Sequence, residues 1–107
     1  MDNSAALLRT AESLRSAADG AAWEQVAQMT RALAPQLDAL AARGPLTVAE
    51  RAALQRLREA HDHAFDAVAA AARTLKTRID DMRANKDGWI AYAMHNQGDS
   101  GASQVQP

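Results

Sequence analysis

The chain contains no cysteine. That excludes disulfide bridges, thiolate nucleophiles and thiolate metal ligands, and it is compatible with a reducing compartment. Aromatic residues are scarce, with two Trp, one Tyr and one Phe making up 4% of 107 residues, and β-branched residues are few, which disfavours strands almost everywhere. Three prolines and five glycines are all that interrupt the sequence, so long helices meet few breakers. No run approaches the ~18 apolar residues that span a bilayer, and residues 1–10 lack the basic-then-apolar order of a signal peptide. Charge of one sign is also missing. Twelve basic and thirteen acidic residues are interspersed and leave a net charge of −1, so no field steers a polyanion or an anionic membrane surface. The expectation is a cytoplasmic protein with no membrane span and no nucleic-acid partner.

What is present is alanine, about a quarter of the residues, in patterns of helical period. A length of 107 residues bounds the chain to one small domain with a limited core. Asn3 or Ser4 can cap a first helix that carries Leu7, Leu8, Ala11, Leu14 and Ala18 on one side. Asp19-Gly20 ends it, with Gly20 expected in the left-handed conformation of a helix terminus. A second helix over 21–42 presents Trp23, Val26, Leu33, Leu37 and Leu40. Pro35 falls inside this pattern, where it removes a backbone donor and crowds the preceding turn, and it predicts a kink or break near 32–35. Arg43-Gly44-Pro45 stops the helix. Thr47-Val48-Ala49-Glu50 has the form of a capping box and opens a long third helix from about Val48 to Lys86. Leu54, His61, Val68, Leu75, Met82 and Trp89 recur along it every seven residues, joined by Leu57 and Ala64 early and by Phe65, Ala72 and Ile79 late. Asp87-Gly88 ends or weakens this helix before a short segment, Trp89 to Met94. The expected fold is all-α: an antiparallel helical bundle of three main helices with a short C-terminal helical segment, one domain over 1–95, and a disordered tail over 96–107.

Chemistry has few carriers. The three histidines are the only side chains that titrate near neutrality. Glu59, His63 and Asp66 stand four and three residues apart and share a helix face, but no second helix offers further ligands to complete a metal site. A histidine phosphotransfer site would read His-x-x-Lys-Gly, a pattern that none of the three histidines satisfies. Nucleophile elbows, phosphate-binding glycine loops and H-E-x-x-H pairs are absent too. The reading is a protein that is not an enzyme and needs no cofactor. Partner binding is favoured physically, because alanine-rich seams bury little apolar area and leave Trp89, Ile90, Tyr92 and Met94 with surface to offer. Either those residues dock as the last element of the bundle or a competing helix displaces them.

A helix with Leu-Leu near its start, a Gly followed closely by Trp23, a second helix ending in a short loop, a long third helix, and then Lys86-x-x-x-x-Ala91-Tyr92 resembles the flagellar type III export chaperone family FliT over residues 4–94. The resemblance implies a cytoplasmic chaperone that binds the C-terminal region of the filament cap protein FliD and keeps it from premature association before export. It also implies contact with components of the export ATPase complex and, in enterobacteria, with the master flagellar regulator, a role not carried over here. The family's last short helix can cover a binding surface that rests on the third helix. Lys86, Ala91 and Tyr92 match the family directly, while Phe65, Ala72, Ile79 and Met82 extend the surface along the apolar stripe and Trp89 adjoins it. The alternative is a generic helical oligomerisation or adaptor bundle without a flagellar role, for which a homodimer would suffice.

Overall fold

The computed structural model describes the backbone of residues 2–100 and the side chains of residues 2–96. Among these residues there are three helices and no strand: α1 (Ser4–Asp19), α2 (Trp23–Ala42) and α3 (Val48–Ser100). The all-α expectation holds. The expected tail lies, from residue 101, outside the described residues. The chain divides into two units, one reaching to Ala70 and one starting at Ala71. The first holds α1, α2 and the opening part of α3; the second begins with the remainder of α3.

The core of the first unit keeps the helical period but not every expected residue: Leu8, Trp23 and Val68 are exposed, and on α3 Leu54 and His61 are only partly buried, the seam running one position away through Ala53 and Ala60. Leu7, Ala11, Leu14 and Ala18 of α1 are buried at four- and three-residue steps, as are Ala53, Leu57, Ala60 and Ala64 of α3, and α2 adds Val26, Leu33 and Leu40. Half of the buried apolar residues are alanine. Small side chains let helices approach closely but remove little area from water, so each large one matters more. Leu14, with no exposed surface, is the largest apolar side chain fully enclosed.

The helix ends depart from expectation in instructive ways. At the start of α1 the Asn3 side chain makes no capping bond; the Ser4 N–H donates instead to Asp2 Oδ1 at 2.6 Å. Asn3 is the N-cap residue, but the side-chain bond comes from Asp2, which is also tied to Thr47, whose Oγ1 donates to Asp2 Oδ2 at 2.6 Å. At the other end, Gly20 has an ordinary φ of −87°, and it is Ala21 that adopts a positive φ, 55°. The Ala22 N–H donates to Ala17 O and the Ala21 N–H to Ala18 O, the paired bonds of a Schellman ending in which the left-handed residue comes after Gly20. A side chain in that conformation costs about 1–2 kcal/mol, offset here by the two backbone bonds and by Ala22 packing on the core.

α2 runs through Pro35 without a break. The proline deprives the Arg31 carbonyl of its helical partner, but Arg31 is exposed, so water can satisfy it. Leu33 and Leu40 are buried on either side and hold both halves to the same core. Gly44 follows α2 with a φ of 115°, a conformation that favours glycine.

α3 opens with the expected capping box. The Glu50 N–H donates to Thr47 Oγ1 at 3.0 Å and the Thr47 N–H returns a bond to Glu50 Oε1 at 2.9 Å. At Asp87-Gly88 the helix neither ends nor separates; Trp89 to Met94 continues α3. One glycine inside a helix costs only about 1 kcal/mol relative to alanine, too little to stop a run of good helix formers on both sides. Within the second unit every described side chain from Ala72 to Asn96 is exposed.

Candidate partner-binding surfaces

A few titratable groups of the first unit, Glu50, Arg43, Asp2 and the His63–Asp19 pair, join its segments. Glu50 is fully shielded from solvent. Its carboxylate takes the Arg43 guanidinium on both oxygens, the Thr47 N–H, and the Asn3 N–H at 2.9 Å. One side chain therefore joins the segment before α1, the residue after α2 and the first turn of α3. Arg43 above all, then the Thr47 and Asn3 amides, hold the Glu50 carboxyl down at about 2. The Asp2 carboxyl is likewise lowered to about 2, first by its bond with Ser4 and then by that with Thr47. His63, considered in the sequence as a metal ligand with Glu59 and Asp66, instead has its Nε2 2.6 Å from Asp19 Oδ1. Among the described residues no three His, Asp or Glu side chains gather around a cation position.

The residues singled out in the sequence fall into three sets. In the second unit, at about 100° of rotation per residue, Ala72, Ile79, Met82, Lys86 and Trp89 share an arc about 100° wide with Leu75 between them. All are exposed, Met82 by 69% and Trp89 by 73%. Ala91 and Tyr92 lie more than about 100° from the centre of that arc, so the Lys86-x-x-x-x-Ala91-Tyr92 spacing does not form one face. Tyr92 instead meets Trp89 edge-on, with ring centroids 6.5 Å apart and planes at 87°, the favoured geometry of an aromatic pair. Phe65 belongs to the first unit, where it is 69% exposed.

Phe65 borders a feature that the sequence did not reveal, a groove between α2 and α3 of the first unit. One part, of about 720 Å³, has Leu33, Ala34 and Leu37 on one wall and Leu54, Leu57 and His61 on the other. A second part, of about 410 Å³, lies between Trp23, Val26 and Ala27 of α2 and Ala64, Phe65 and Val68 of α3. Thr30 and His61 line both. Leu37, Leu54 and Val68 had each been read as one helix's stripe; that they face a common opening depends on how α2 and α3 cross, which single-helix periodicity cannot express.

Among the described residues no helix is long and apolar enough to cross a membrane. These features define a class, a small all-helical bundle protein with exposed apolar surfaces. No known protein family, curated protein or solved structure matches the chain, so a more particular assignment rests on the surfaces themselves.

Proposed function

We propose that this chain is a cytoplasmic chaperone of the flagellar type III export kind, an antiparallel three-helix bundle that binds the C-terminal region of a filament cap protein and holds it apart from its fellows before export. The observation that carries the reading is the run of large apolar side chains on α3 of the second unit, Leu75, Ile79, Met82, Trp89 and Ile90, each at least 40% exposed. Apolar side chains concentrated in this way mark interaction sites more often than ordinary surface. An amphipathic client helix has a matching face and would bury them by laying its own three- and four-residue stripe alongside. Covering that client stripe removes the surface through which cap subunits associate. No bond-making chemistry is required, and none is assigned. Components of the export ATPase complex are the second class of partner this reading includes.

Calorimetric titration with a cap-protein C-terminal fragment tests the proposal. Ile79→Asp places a charge in the centre of the arc and should weaken binding at least about tenfold, since a buried unpaired carboxylate is strongly disfavoured, while far-UV helical content stays unchanged. Undiminished affinity in that variant, or no binding by the parent chain, removes the proposal.

A further inference from the structure

The groove between α2 and α3 is a different surface from the one just proposed, and the charges around it specify what it takes. Its walls are apolar, yet every fully charged side chain lining it is an arginine: Arg51 and Arg58 in the larger part, Arg31 in the smaller. No Asp or Glu lines either part. Arg51 is exposed and donates from Nη1 to Leu46 O at 3.0 Å. Arg31 has only a loose pairing, 3.8 Å from Glu24. Arg58 is in no ion pair among the described residues.

From Arg51 to Val68 the α3 wall extends for about 25 Å, or four to five turns of helix. Trp23, 37% exposed, and Phe65, 69% exposed, flank its far end as aromatic anchors of the kind that dominate helix-in-groove contacts. We infer that this groove docks an acidic amphipathic helix of another polypeptide, one with apolar residues at three- and four-residue steps and Glu or Asp beside them to meet Arg31, Arg51 and Arg58.

Charge decides between this occupant and a second copy of the chain. The exposed arc of α3 in the second unit is the obvious apolar donor from another copy. The charged residues on or nearest that arc are Arg78, Arg83 and Lys86, whereas Lys76, paired with Asp80 at 2.8 Å, and Asp80, Asp81 and Asp87 sit about 90° or more from its centre. Docking it would set cations against arginines, which costs affinity and slows encounter. An acidic helix reverses both effects.

The test uses the full chain and two fluorescein-labelled synthetic peptides of about 18 residues, identical in their leucine stripe, one flanked by Glu and the other by Lys. Fluorescence anisotropy should show the Glu peptide binding at least about tenfold more tightly. The exposed double variant Arg31→Glu/Arg58→Glu should invert that preference, with an unchanged thermal midpoint reporting an intact fold. Ile79→Asp should leave the Glu peptide's affinity as it was, which separates this groove from the client surface proposed above. Equal affinity for the two peptides, no binding of either, or a preference that survives the double variant would overturn the inference. So would displacement of the Glu peptide by phosphatidylcholine–phosphatidylserine vesicles, or sedimentation of the full chain as a dimer that Arg31→Glu/Arg58→Glu dissociates, because each assigns the groove to another occupant.

Discussion

Glu50 shows how much one side chain can decide. The Thr-x-x-Glu spacing was enough to predict its local role, because a capping box is complete within four residues. Its other partners, Arg43 and the Asn3 amide, come from the preceding loop and from 47 positions upstream, and no local pattern points to them. The same limit explains the ends of α1. Asn3 holds the N-cap position of α1 as expected, but the side-chain bond there comes from Asp2, which Thr47 reaches from across the fold, and Ala21, not Gly20, takes the left-handed conformation. The depressed acidity of Glu50 carries a consequence for stability. Its carboxyl has an ordinary value of 4.5 and a folded value of about 2, so the unfolded chain takes up the proton first. The stabilisation is fully present above 4.5 and is lost as pH falls through the interval down to about 2. Asp2, lowered from 3.8 to about 2, acts in the same direction. Urea denaturation followed from pH 7 to pH 2 should show the midpoint falling through that window in the parent chain. Glu50→Gln should start from a lower midpoint at pH 7 and fall less, and parallel curves for the two proteins would contradict the clamp.

At the scale of the helix, a break at Pro35 and an end at Asp87-Gly88 were among the expectations, yet Pro35 and Gly88 both sit inside continuous helices. Pro35 is tolerated because buried leucines on both sides outweigh one missing hydrogen bond. Gly88 is tolerated for a simpler reason: its cost is small and its surroundings are empty. Nothing lies within 4 Å of the position a Cβ would occupy there, so Gly88→Ala should strengthen α3 locally by about 1 kcal/mol. Amide exchange at Trp89 to Met94 should slow by about fivefold in that variant. Unchanged exchange would mean that the helix does not pass through this residue in solution. The apolar stripe of α3 was legible as a period. Ala91 and Tyr92 were grouped with it by sequence motif, and helical geometry places them on another side. The α2–α3 groove stayed hidden because it belongs to a pair of helices and to neither alone.

Across the whole molecule, burial is distributed unevenly between the two units. All the enclosed apolar residues among the described positions lie at or before Ala64, and every described residue from Ala72 to Asn96 is exposed. Amides of Ala53 to Ala64 should therefore exchange only with global unfolding, while those from Ala72 onward should exchange by local opening at a small fraction of that free energy. Hydrogen exchange read by NMR along α3 should show protection falling off after the first unit; uniform protection from Ala53 to Met94 would require burial that this fold does not provide.

Because no side chain from Ala72 to Asn96 takes part in the core, substitutions there change the surface the chain offers, and on the reading proposed above what it recognises, with little effect on whether it folds. Stability resides in the alanine seam and the Glu50 clamp, away from that surface. A protein divided in this way can exchange one ligand helix for another through single surface replacements, without first acquiring a compensating stabiliser.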